Sequence, residues 1–328
     1  MKQNSPFNFV TEKIKNYHVI TLSYSPNDSK EKPIVAKIAP ELGSNLFSLV
    51  YDNHRIIISD NKLLEKCGFT GCFVLFPTPN RVRNFTYRWQ GRDIPLKKYG
   101  KFVEIHGLVF TEPWTFTKPV VSKRGVTLKT SITITKTSPL YEAFPFPCIL
   151  ILEYNLYTNG IKITYTVKNT GSSELPFGFA LHPYFNRLSG SDKTLISVLA
   201  KSWMESPPKT LLPTGKRIPV AGKPYDIQKP TPLSKLNLDH VYTDLNPNHF
   251  ATINYQNQHI KVTLKTSPDF THAVVYTGEP SAVCIENQTC STDAHNLYAR
   301  GLQKEAHLMI VKPKQSHSGF INYEILPY

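Results

Sequence analysis

Apolar and polar residues alternate with period two from one end of this chain to the other, and no other feature limits its fold as strongly. In "GVTLKTSITITK", Val126, Leu128, Ile132 and Ile134 fall on recurring faces; in "GIKITYTVKN", Ile161, Ile163, Tyr165 and Val167 do the same. "FATINYQNQHIKVTLKTSP" holds two such runs around a polar Gln-Asn-Gln turn, the pattern of a β-hairpin. Successive side chains of a strand point to opposite faces, so this period sends one face to a core and the other to water. Thr, Tyr, Val and Ile dominate the runs, and all four suit a pleated, half-buried surface. "CILILEYNLY" is more continuously apolar and predicts a strand covered on both sides.

Convincing amphipathic helices are missing, and 26 prolines and 16 glycines punctuate the runs. The chain therefore reads as all-β, a mostly antiparallel sandwich or barrel. The alternation continues through the middle without a clear break, so residues 1–328 are read as one domain. One stretch differs: "ESPPKTLLPTGKRIPVAGKPYDIQKPTPLSKLNL", residues 205–238, is rich in Pro and Lys. Such composition suits a flexible linker. An ordered excursion over a sheet face, anchored by Leu211, Leu212, Ile218 and Val220, is the favoured expectation.

Composition narrows the function classes. With 40% apolar and only 19% charged residues the chain is a globular, core-forming one. Its formal charge of +14 would attract anions. The basic residues are scattered, however, with no basic helix, zinc-finger spacing or RNA-recognition motif, so no specific nucleic-acid partner is expected. The cysteines at 67, 72, 148, 284 and 290 are odd in number and unpatterned, arguing against a disulfide framework. Cys67 and Cys72 have no second pair to complete a zinc site. "MKQNSPFNFVTEKIKN" lacks an apolar signal core, and no run approaches the ~20 residues that span a bilayer. The expectation is a cytoplasmic protein with no membrane partner.

Nucleotide-loop, dinucleotide-fold and nucleophile-elbow motifs do not occur, nor does H-E-x-x-H. What remains is a set of polar residues in short apolar stretches where strands end: Arg81 in "LFPTPNRVRNF", His106 in "VEIHGLVF", His182 in "FGFALHPYFN", Asp239 in "LNLDHVY" and Glu286 in "SAVCIENQT". Each alone has a plain structural reading. A histidine in an apolar strand is most often a hydrogen-bonded core residue, and a Glu after "AVCI" marks where a strand meets water. Arg81 could pair with a surface acid, and Asp239 could hold a turn. Together they read otherwise, because buried ionisable groups are costly unless partnered. Several at strand ends suggest a shared polar cleft. A carboxylate with imidazoles, without metal or activated serine, is equipment for proton transfer. Trp114, Tyr184, Phe185 and Trp203 could offer flat faces to a sugar ring.

In chain order, "IAPELGSNLFSLVYDN", "PNRVRNFTYRWQGRDIPL", "IHGLVFTEPW", "FGFALHPYFN", "LLPTG", "LDHVYT" and "VCIENQTCSTDAHN" resemble the aldose 1-epimerase (galactose mutarotase) family, over about residues 35–325. "HPYFN" and the pattern around Glu286 are the specific segments. The resemblance implies a large antiparallel β-sandwich with an open sugar cleft, and interconversion of the α and β anomers of an aldose without cofactor or metal. It implies Glu286 as the general base on the C1 hydroxyl and His182 as the general acid on the ring oxygen. Arg81, His106 and Asp239 would bind the sugar, with Asn80 supporting that clamp. A sugar-sized space between Glu286 and His182 is the expected geometry. Asn287 stands where the family commonly has proline after the Glu. Arg83, Arg88 and Lys101, if near the cleft, would suit a hexose 6-phosphate. The other alternative is a non-catalytic carbohydrate-binding protein of the same fold.

Overall fold

The computed structural model describes residues 5–28, 30–60, 62–63, 68–246 and 251–328; Cys67 and Phe250 lie outside them. The two clearest alternating runs become the strands Gly125–Ile134 and Gly160–Asn169. With Cys148–Tyr157 between them, they form the antiparallel centre of a ten-stranded sheet. Val126, Leu128, Ile132 and Ile134, and Ile161, Ile163, Tyr165 and Val167, all point inward and are buried. The hairpin forms as expected, with Ala251–Tyr255 against Ile260–Thr266 and Tyr255 opposite Ile260 at its closed end.

Cys148–Tyr157 departs from expectation. It alternates buried with half-buried positions instead of being covered on both faces. Ile149 and Ile151 lie on the outer face, shielded there by their cross-strand neighbours Thr133, Lys168, Ser131 and Thr166. Side chains within the sheet can hide part of an isoleucine, but no more than part.

The second sheet has twelve strands. It runs from Phe7–Ile14 through Tyr17–Tyr24, Ile34–Ala39, Asn45–Tyr51 and His54–Ile57 to Ala180–Asn186, and continues with Ala282–Gln288, His272–Tyr276, Asp239–Leu245, Ala200–Met204 and Arg217–Pro219. Cys72–Leu75 also pairs with Ala180–Asn186. The two sheets share one core, in which Leu22, Ile38 and Leu46 of this sheet join Leu128, Leu152 and Ile163 of the other. Each such fully buried side chain contributes roughly 1.5–3 kcal/mol. Polar and aromatic contacts also cross the core: Tyr154 Oη–H donates to the Ser44 carbonyl, and the Phe185 and Tyr323 rings meet at 5.4 Å. The result is a large antiparallel β-sandwich.

Residues 205–238 are an ordered excursion. Arg217–Pro219 pairs into the twelve-stranded sheet and Thr231–Pro232 into the ten-stranded one. Val220 is buried as expected, while Leu211, Leu212 and Ile218 are half-buried; Ile227, Leu233 and Leu238 supply the remaining anchors. Cys72, Cys148, Cys284 and Cys290 are all buried free thiols.

Candidate active site

Three adjacent strands in the middle of the twelve-stranded sheet, Cys72–Leu75, Ala180–Asn186 and Ala282–Gln288, are buried on both faces over most of their length. On the core side lie Leu181, Phe185, Val283 and Ile285. By the period of a strand, Ala180, His182, Tyr184, Glu286 and Gln288 turn to the opposite side. The register sets Ala180 opposite Gln288 and Tyr184 opposite Cys284, which brings His182 opposite Glu286. His182 Nε2 lies 3.2 Å from Glu286 Oε1, and both side chains are more than nine-tenths buried.

The expected sugar-sized space between these two residues is therefore corrected: they touch. Cross-strand neighbours on one face are held within contact distance by the ladder itself. The His182 ring is clamped between the Phe73 ring, stacked at 4.7 Å, and the Tyr184 ring, stacked at 5.0 Å. The edge of His106 meets it at 5.0 Å. Pro183 does not end the strand, which continues to Asn186. It does end the ladder to Cys72–Leu75, whose last pair is Pro183 with Cys72.

Burial sets the electrostatics. Desolvation raises the Glu286 carboxyl from 4.5 to about 8, with a smaller push from the Asp239 charge; the Gln288 hydrogen bond and the Arg81 charge act against it. Desolvation lowers His182 to about 3 and holds His106 well below its ordinary value, where the charges of His182 and Arg81 add to the effect. Gln288 Nε2 donates to Glu286 Oε2 at 3.1 Å, so each carboxylate oxygen has a defined neighbour.

The other expected residues converge here through their backbones. Asn80, with φ of 61°, accepts the His106 N–H at its carbonyl, 2.9 Å away. Its side-chain oxygen accepts the Arg81 N–H at 2.8 Å and an Arg81 guanidinium N–H at 3.1 Å. Next to His106, Gly107 has φ of 74°, and a Cβ there would lie 2.4 Å from the Phe76 carbonyl oxygen. Only glycine fits so close an approach. Asp239 opens the strand Asp239–Leu245 opposite Tyr276, one strand beyond the neighbour of Glu286.

Gln288 escaped the sequence reading, although the period-two spacing from Glu286 already placed it on the same face. Phe73 escaped because its contact with His182 is made by sheet pairing. In the segment after Gln288, Asp293 and Asn296 are structural. The Asp293 carboxylate accepts the Arg83 N–H at 3.0 Å, and its own N–H donates to the Arg81 carbonyl at 3.1 Å. Asn296 accepts the Arg88 N–H at 3.0 Å and donates to the Thr86 carbonyl at 2.9 Å. Three of the four aromatic candidates also move. Trp114 and Phe185 belong to the core, and Trp203, opposite the buried Tyr242, packs against that same core with its ring tilted on His240 at 4.7 Å; only Tyr184 remains on the site's side.

This sandwich, with an imidazole–carboxylate pair on the outer face of its larger sheet, has the architecture of the galactose mutarotase-like proteins. The chain belongs to the aldose 1-epimerase family, whose profile matches residues 32–324. A galactose mutarotase-like protein from Clostridium acetobutylicum superposes with a TM-score of 0.83 at 20% identity, over 99% of this chain and 100% of that one. Galactose 1-epimerase from Lactobacillus acidophilus superposes with a TM-score of 0.78 at 17% identity, over 99% of each chain. In sequence, the uncharacterized protein YihR of Escherichia coli K12 is 24% identical over 269 residues, 75% of this chain and 83% of its own length.

Proposed function

We propose that this protein is an aldose 1-epimerase, an isomerase that interconverts the α and β anomers of an aldose. The observation that carries the reading is the direct 3.2 Å contact between His182 Nε2 and Glu286 Oε1. Ring opening removes a proton from the C1 hydroxyl and delivers one to the ring oxygen. Both oxygens are bonded to the same carbon, so base and acid have to stand side by side. A buried cross-strand pair meets that requirement.

The pair shares one proton. Burial alone leaves it on Glu286. Arg81 and sugar hydroxyls drawn close to the carboxylate favour its transfer to His182, because they stabilise the charged carboxylate. Glu286 then takes the C1 hydroxyl proton while His182 protonates the ring oxygen. The aldehyde forms, C1–C2 rotates, and closure from the other face reverses both transfers. Arg81, fixed by Asn80, orients the ring, and His106 and Asp239 hold hydroxyls. The buried Nδ1 of His106 has no hydrogen-bond partner among the described residues.

Tyr184 supplies an apolar face of the kind expected beside a sugar. Of the basic residues considered for a phosphosugar, Arg83 and Arg88 line the groove beside Trp89, and Lys101 is exposed on the short strand Lys101–Phe102. We read residues 1–328 as one folding unit working in the cytoplasm; among the described residues no helix is long and apolar enough to cross a membrane. Polarimetry with α-glucose and α-galactose tests the reading. Glu286→Gln is expected to lower the rate by ~10²–10⁴-fold. Equal rates for the variant and the wild type would remove the assignment.

A further inference from the structure

A cavity of about 740 Å³ lies away from the His182–Glu286 pair. Its walls come from the hairpin of Thr86–Trp89 and Arg92–Pro95 and from the helix Ala294–Ala299 with Arg300 after it. Arg83, Arg88 and Arg300 line it against one carboxylate, Glu174. Trp89 and Tyr298, with ring centroids 5.6 Å apart, line the same cavity.

The guanidinium groups are loosely engaged. Arg83 Nε lies 3.4 Å from Asp293, and Arg88 Nε lies 3.7 Å from the exposed Asp93. Arg88 and Arg300 reach the Gly91 and Thr214 carbonyls at 3.5 and 3.4 Å. A charge-assisted bond from arginine to an anion settles near 2.7–2.9 Å, so an incoming anion would improve on every one of these contacts. The frame that carries them is rigid by comparison. Asn296 bonds the backbone at both Arg88 and Thr86, tying the hairpin to the helix that carries Tyr298.

We propose that this groove is a second ligand site, for a sugar bearing an anionic group such as a phosphate or carboxylate. The arginines recognise the anion in the forked geometry that suits it. The tryptophan–tyrosine pair offers an apolar face to the ring, and Glu174 with Gln90, joined at 3.3 Å, offers partners for hydroxyls. The volume falls within the usual range for small-molecule sites. Asp293 stands between the groove and the catalytic strip, bonded to Arg83 on one side and to the Arg81 carbonyl on the other. The site does not depend on mutarotation.

Isothermal titration of the full chain at low salt, with glucose 6-phosphate, glucuronate, glucose and inorganic phosphate, tests it. The two anionic sugars are expected to bind at least about tenfold more tightly than glucose or phosphate alone. The double variant Arg88→Gln/Arg300→Gln is expected to weaken them about ten- to hundredfold, with an unchanged melting temperature. Arg81→Gln is expected to leave this binding intact. The proposal is overturned if the double variant keeps wild-type affinity, if phosphate binds as tightly as the sugar phosphate, or if no binding of the anionic sugars is seen. Loss of binding in Arg81→Gln alone would also overturn it, by placing the anionic sugar in the catalytic cleft. Absence of mutarotation would strike the epimerase reading and leave this result standing.

Discussion

The strands Gly160–Asn169 and Ala282–Gln288 show two ways of spending a strand. In the first, Ile161, Ile163, Tyr165 and Val167 fill the core while Lys162 and Lys168 face water. In the second, all seven residues are buried, and Glu286 and Gln288 occupy positions that alternation would give to solvent. Burying those groups works against stability unless they find partners, and they find His182 and each other. The difference teaches where to look in such a sandwich: polar residues buried on the face turned away from the core mark the candidate site.

The contrast breaks first at His182. His182→Gln keeps a planar polar side chain between Phe73 and Tyr184 but cannot act as the imidazole acid. Polarimetry should show a fall of ~10²–10⁴-fold with a melting temperature close to wild type. On the other sheet the pattern should invert. Leu152→Ala empties a fully buried position and should cost about 2–5 kcal/mol in denaturant unfolding, with the rate per folded molecule unchanged. A large rate loss there would blur the division between the two regions.

Glu286→Gln sharpens the comparison through pH. Between 4.5 and about 8 the native carboxyl keeps a proton that the unfolded chain has released. The stability tied to that proton is fully present below 4.5 and is lost as pH rises through about 8. The variant should therefore match wild type near pH 4.5 and exceed it near pH 8 by on the order of 4 kcal/mol. Calorimetric melting at the two pH values reads this directly, and a gap that shrinks toward alkaline pH would contradict the burial argument. The smallest effect concerns Asn287, fully buried with neither amide atom hydrogen-bonded among the described residues. Asn287→Leu keeps the approximate shape and removes the unmet polar groups, so it should be neutral or stabilising by about 1 kcal/mol. A clear loss of stability would show that the amide is satisfied, for instance through buried water.

The strand content, the hairpin at Ala251–Thr266 and the buried faces of Gly125–Ile134 and Gly160–Asn169 were legible because period-two alternation is a local property, written in consecutive residues. Five site residues could be picked out as polar groups misplaced in apolar runs; the resemblance supplied their roles and added Asn80. Cys148–Tyr157 was misread because an apolar run does not reveal whether a second layer covers it. Trp114, Phe185 and Trp203 were misassigned because an aromatic residue looks the same in sequence whether it faces a core or a cleft.

By itself the sequence determined the class of the fold and the chemical inventory of the site. The tertiary structure decided that His182 stands opposite Glu286, since their meeting depends on the register between strands about a hundred residues apart. It also decided that Arg81 is tied to the Asn80 side chain while Arg83, two residues on, lines the groove beside Trp89. Those outcomes follow from sheet pairing and loop path, which bring together side chains that no local pattern connects.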